Sequence, residues 1–161
     1  MKSISFFVAG VPRPQGSKRL VGFKTGHVHM IEASPEHKNW RASVSGVAHE
    51  AVAREKLEMI DGPVALEVRF QFVRPASHYG KHGVKPSAPP YPKAYDLDKL
   101  VRSVGDSLSG IVYRDDVEII TIIARKEWGD TVGALVKVST VEMETKTEPA
   151  DVAKSERLPG L

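Results

Sequence analysis

Hydrophobic and polar positions alternate or recur along most of the first 141 residues, and the period changes from segment to segment. Residues 3–9 alternate, with Ile4, Phe6 and Val8 on one side, which predicts a strand. Residues 10–19, GVPRPQGSKR, break the pattern with two prolines and two glycines and form a loop. Residues 21–31 suit a small hairpin turning at Thr25-Gly26. A helix is predicted over 34–57. Ser34-Pro35-Glu36 supplies a capping hydroxyl, a first-turn proline and an acid at the positive end. Trp40, Val44, Val47, Ala48, Ala51 and Val52 recur at helical spacing as its buried stripe.

Asp61-Gly62-Pro63 is a turn, and residues 64–73 return to strict alternation. Leu66, Val68, Phe70 and Phe72 face one way, Glu67, Arg69 and Gln71 the other. Residues 75–95 hold five prolines and little periodicity, which predicts a long mobile loop. A second helix follows over 96–109. Leu97, Leu100, Val101, Val104 and Leu108 form its core face, and Gly110 ends it. Residues 117–124 are rich in β-branched side chains and read as a buried strand. A turn at Trp128-Gly129-Asp130 leads to a partner strand over 132–141. From residue 142 the pattern is lost, so 142–161 is expected to be a disordered tail. The reading is one α+β domain over 1–141. It has a mixed sheet and two main helices, in the order strand, hairpin, helix, strand, helix, strand, strand.

Composition narrows the function classes. At 161 residues, 41% hydrophobic and 27% charged, the chain suits a globular domain with a real core. No apolar run reaches membrane-spanning length. The absence of cysteine excludes a thiol nucleophile, a disulfide or a thiolate zinc site, and fits a cytoplasmic protein. His49-Glu50 begins like a zinc-protease motif, but Ala53 stands where the second histidine belongs.

The net charge is only +3, yet it is unevenly spread. Residues 1–31 contain no acid and carry Arg13, Lys18, Arg19 and Lys24. Residues 74–95 also lack acids and carry Lys81 and Lys85. These basic segments are candidate phosphate contacts. Tyr79, Tyr91 and Tyr95 stand among the lysines as candidate stacking groups. Solvated basic loops are the plain alternative.

Acids concentrate instead in residues 96–118, DLDKLVRSVGDSLSGIVYRDDVE. With the apolar stripe buried, Asp98, Arg102 and Asp106 share a more open face of the helix. Magnesium takes oxygen ligands, keeps several waters, and needs one or two carboxylates plus substrate phosphate. Asp96, Asp98 and one of Asp115 or Asp116 would suffice, provided the strand after Asp116 pairs near the start of the helix. Each acid also has a plain reading. Asp96 can cap the helix, Asp98 can pair with Arg102, and Asp115-Asp116 can be turn residues.

The segment resembles the signature of the RusA family of Holliday junction resolvases. The matching elements are Asp96-Leu97-Asp98-Lys99-Leu100, then Asp106-Ser107-Leu108, then Asp115-Asp116-Val117, with Gly10-Val11-Pro12 near the N-terminus. The resemblance implies a homodimer that cuts branched DNA, the four-way junction above all, using Mg²⁺, with Mn²⁺ as a substitute. It implies metal ligation by Asp96, Asp98 and Asp116. Asp115 is a further candidate ligand, and Asp106 a supporting acid. A family lysine maps to Arg102, which cannot act as a base but can stabilise charge. Lys99 stands where the family often has asparagine and can share that cationic role. A non-catalytic branched-DNA-binding protein and a metal-stabilised interaction domain are the competing expectations. A phage or prophage setting is a further implication of the resemblance.

Overall fold

A computed structural model describes residues 1–16, 19–24, 27–31 and 34–143. The strands are β1 (Ser3–Ala9), β2 (Arg19–Lys24), β3 (His27–Ile31), β4 (Val64–Phe72), β5 (Tyr79–Gly80), β6 (Gly83–Val84), β7 (Ile119–Trp128) and β8 (Gly133–Thr140). The helices are α1 (Pro35–Glu55) and α2 (Leu97–Leu108), and short 3₁₀ turns occupy Ala76–His78 and Asp116–Glu118. The fold is α+β with a mixed four-stranded sheet in the order β1-β8-β4-β7. β4 and β7 run parallel, whereas β8 is antiparallel to both β1 and β4. Parallel neighbours cannot be joined by a tight hairpin, so the chain crosses from β4 to β7 by way of α2.

The core lies between the sheet and the two helices. Ile4, Phe6 and Val8 of β1, Leu66, Val68 and Phe70 of β4, and Val136 and Val138 of β8 are buried there. They meet Trp40, Val44, Ala48 and Ala51 of α1 and Leu100, Val101, Val104 and Leu108 of α2. Two polar pairs lie within this layer. His37 Nε2 lies 3.0 Å from Ser103 Oγ, and Ser45 Oγ donates to the Ser107 carbonyl at 2.9 Å. Both hydrogen bonds tie α1 to α2.

Helix α1 starts as expected, with the Ser34 hydroxyl accepting from Glu36 N at 3.2 Å. It stops at Glu55, slightly earlier than its pattern suggests, because Lys56 turns into the left-handed region at φ 50°. Hairpin β2–β3 forms where expected, and its turn at Thr25-Gly26 lies outside the described residues. The tail from residue 144 also lies outside them.

Two elements differ from their sequence reading. β7 is not a buried strand: it closes the sheet as an edge, and Ile120, Ile122 and Ile123 are 51%, 55% and 61% exposed. α2 covers only part of it, through Ile119 and Ala124. The proline-rich segment 75–95 is more structured than its composition suggests. It contains a 3₁₀ turn and the β5–β6 hairpin. The carbonyl of Pro89 accepts from Arg74 Nη1 and from Trp128 Nε1, each at 3.0 Å. The Arg74 guanidinium lies over the Trp128 ring, and His78 meets that ring edge-on. These partners come from distant parts of the chain, so no local pattern announces them.

Candidate active site: an acidic cleft along α2

α2 places its acids through an apolar stripe that leaves one flank open. Asp98, Arg102 and Asp106 lie on that flank. Across from them stand Asp116 and the first half of β7. Together with Leu66, Leu97, Val101, Gly105, Ile119, Ile122 and Ala124 they line a cleft of about 550 Å³. Its floor is apolar and its polar groups are three carboxylates and one guanidinium. At Gly105 the helix packs against Ile119, whose Cδ1 would stand in ordinary contact, 3.4 Å, from a Cβ at that position. The Gly105 carbonyl accepts from the buried Tyr113 hydroxyl at 2.7 Å, which fixes the loop between α2 and Asp116. Burial, reinforced by the charges of Asp116 and Asp106, pushes the Tyr113 phenol well above its usual range. It remains a hydrogen-bond donor at any ordinary pH.

The two neighbouring acids before β7 separate into different roles. Asp115 turns its carboxylate back to accept from Val117 N at 3.0 Å and caps the 3₁₀ turn. That backbone N–H holds the Asp115 carboxyl below its usual range. Asp116 points into the cleft. Hydrogen bonding to Asp115, partial burial and hydrogen bonding to Asp106 all raise its carboxyl above the usual range. Ionised carboxylates are acceptors only, so this chain of three needs a proton or a cation between its oxygens. The acids that line the cleft, Asp98, Asp106 and Asp116, are oxygen donors of the kind a divalent cation takes.

The other sequence candidates are placed as follows. Asp96 occupies the cap position of α2 but makes no side-chain cap; its carboxylate accepts instead from Lys99 Nζ at 2.8 Å. This contact lowers the Asp96 carboxyl and raises the Lys99 ammonium. Neither residue lines the cleft. Asp98 does not pair with Arg102, and among the described residues no carboxylate lies within ion-pair distance of that guanidinium. The start of β7 lies beside Asp106, while the far end of the strand, at Lys126, meets the start of α2. The sequence reading required Asp116 to lie near the helix start; the structure sets it beside Asp106. Asp98 and Asp106 are eight residues apart, about 12 Å along the axis, too far to share one ion. Among the described residues no three acid or histidine side chains converge closely enough to hold a metal ion as they stand.

The basic candidates also divide. Arg13 is engaged: Nη1 donates to the Tyr95 hydroxyl at 2.6 Å and lies 3.3 Å from Glu36 Oε2. Lys81 is exposed at the turn of the β5–β6 hairpin, and Lys85 donates to the Ser77 carbonyl at 3.0 Å. Arg19 and Lys24 mark the two ends of β2, and Lys18 lies outside the described residues. Sequence reasoning missed Lys126. Its signal is parity: Lys126 shares a face of β7 with Ile122 and Ala124, so a cation points to the helix side of the sheet.

A carboxylate cleft open to solvent, whose guanidinium has no carboxylate partner among the described residues, is an arrangement suited to an anionic substrate with a cation beside it. Comparison with known proteins makes this specific. The family described as Endodeoxyribonuclease RusA matches residues 9–139, and the chain belongs to that family. The chain is also similar to the uncharacterized protein YqaN of Bacillus subtilis strain 168. The two are 28% identical over 135 residues, which cover 81% of this chain and 91% of YqaN. No helix among the described residues is long and apolar enough to cross a membrane.

Proposed function

We propose that the protein is a Mg²⁺-dependent endodeoxyribonuclease that resolves four-way DNA junctions by phosphodiester hydrolysis, acting as a homodimer. The observation that carries this reading is the convergence of Asp98, Arg102, Asp106 and Asp116 on one open cleft. Family membership supplies the nuclease class. Asp116 beside Asp106, and Asp98 farther along the same cleft, would hold Mg²⁺ at separate positions, with Mn²⁺ able to replace it. Asp96 joins them only by giving up Lys99, and Asp106 supports Asp116. Bound there, Mg²⁺ would supply Lewis-acid polarisation of the phosphate and acidify a water.

The chain's own residues do the rest. Among the described residues no carboxylate pairs with Arg102, so its guanidinium can meet charge developing on the phosphate. Leu66, Val101 and Ile122 give the cleft an apolar floor beneath its charged groups. Lys81, Lys85 and the exposed Tyr79 and Tyr91 project from the proline-rich segment, where they suit phosphate and base contacts. A branched-DNA-binding protein without catalysis is the second reading. The Asp96–Lys99 pair favours it, because that contact withholds one carboxylate.

The test is cleavage of a synthetic four-way junction with and without Mg²⁺. Asp98→Asn is expected to lose at least about a hundredfold in rate, the scale of removing a group that stabilises the transition state, while still binding the junction. Undiminished cleavage by that variant would overturn the assignment. Junction binding with no cleavage by the natural sequence, in either Mg²⁺ or Mn²⁺, would establish the second reading.

A further inference from the structure

The residue just before Asp96 is held in a conformation that side chains rarely adopt. Tyr95 has φ 58°, in the left-handed region, and is neither glycine nor asparagine. Such a conformation is strained and persists only where its surroundings hold it. Three distant elements do so. Lys126 Nζ, from the far end of β7, donates to the Tyr95 carbonyl at 2.7 Å and to the Ala94 carbonyl at 3.2 Å. Arg13, from the loop after β1, donates to the Tyr95 hydroxyl, and its guanidinium carbon lies 5.8 Å from the ring centroid. The Phe72 ring, at the end of β4, packs at a centroid distance of 6.4 Å.

The geometry points to Lys126 as a positioning residue for the metal-binding acids of α2. It sets the left-handed turn at Tyr95, and that turn sets how the chain enters the helix. The first helical hydrogen bond, Leu100 N to the Asp96 carbonyl at 3.1 Å, follows directly. The turn therefore fixes where Asp96 and Asp98 begin. The strand carrying Lys126 is the one that Asp116 introduces. One strand thus registers both walls of the cleft, through Asp116 before its start and Lys126 near its end. Arg13, a candidate DNA contact by sequence, belongs to the same clamp.

This inference rests on the proposed Mg²⁺ site, and the sign of one effect tests it. Lys126 is a cation near Asp96. If it acted only as a charge, removing it would tighten the binding of another cation. If it positions the acids, removing it weakens that binding. Lys126→Met, Lys126→Arg and the natural sequence are titrated with Mn²⁺ by calorimetry, without DNA. Lys126→Met is expected to bind about tenfold more weakly, the result if the competent arrangement falls to about a tenth of the population. Lys126→Arg, which can still donate to two carbonyls, is expected within about threefold of the natural sequence. Unchanged or tighter binding by Lys126→Met, or failure of the arginine to restore it, overturns the inference.

Hydrogen exchange gives a readout independent of the ion. In Lys126→Met the Leu100 amide is expected to exchange about tenfold faster, while the Val112 amide, bonded to the Leu108 carbonyl beyond the other end of α2, keeps its rate. Equal rates at Leu100 in the two proteins overturn the inference. Asp98→Asn separates the two claims. If the natural sequence and Asp98→Asn bind Mn²⁺ alike, the metal reading fails, and the exchange at Leu100 still decides the role of Lys126.

Discussion

Asp115 and Asp116 are adjacent, identical in chemistry, and set to different tasks by one backbone N–H. The amide of Val117 takes the Asp115 carboxylate as a cap, and Asp116 is left to face Asp106 across the cleft. The two substitutions therefore separate. Asparagine caps as well as aspartate does, so Asp115→Asn is expected to keep junction cleavage within about threefold. Asp116→Asn removes a charged ligand and is expected to lose at least about a hundredfold, on the scale of other transition-state contacts. Side-by-side rates at saturating Mg²⁺ check this; equal losses would mean that both carboxylates serve the cation. The local pattern carried both possibilities for each acid, and only the family resemblance favoured Asp116 over Asp115 as a ligand. A cap and a ligand use the same residue types at the same spacing, and only the direction of the side chain distinguishes them. Asp96 shows the same limit: it stands at the cap position, yet its carboxylate is taken by Lys99.

At the scale of elements, what was legible depended on how far a signal reaches along the chain. α2 was read closely because all of its core stripe lies within twelve residues. β7 was recognised as a strand but not as an edge. β-branched residues report a pleated backbone, whereas burial depends on neighbours that the strand does not encode. The order β1-β8-β4-β7 is equally invisible locally, since β8 enters between strands far earlier in the chain. The insertion depends on a close approach at Gly133. A Cβ there would collide with the Phe7 ring and the Val8 carbonyl oxygen of β1. Backbone cannot move aside as a flexible side chain can. Gly133→Ala is expected to cost about 1–3 kcal/mol, the usual range for overpacking. A denaturant midpoint lowered at unchanged slope would show this loss. An unchanged midpoint would show that β1 tolerates displacement from β8.

For the whole molecule, the β7 edge offers the most direct route to the proposed homodimer. A long strand that leaves Ile120, Ile122 and Ile123 open, with one side of its backbone unpaired in the sheet, is a template for another strand. Two copies related by a two-fold axis normal to the sheet would pair β7 antiparallel with itself. Centring the axis on Ile122 sets Ile120 opposite Ala124 of the second copy. The four-stranded sheet would become eight-stranded, with both clefts on the helix side and flanking the axis. That arrangement suits a substrate needing two related cuts. Ile120 and Ile123 lie outside the cleft lining, so changing them tests assembly apart from the acids. The double variant Ile120→Glu, Ile123→Glu is expected to sediment as a monomer at concentrations where the natural sequence is dimeric. It should also nick a junction without the paired second cut. A variant that stays dimeric would move the interface to another surface, while a natural sequence that is itself monomeric would remove the dimer from the mechanism.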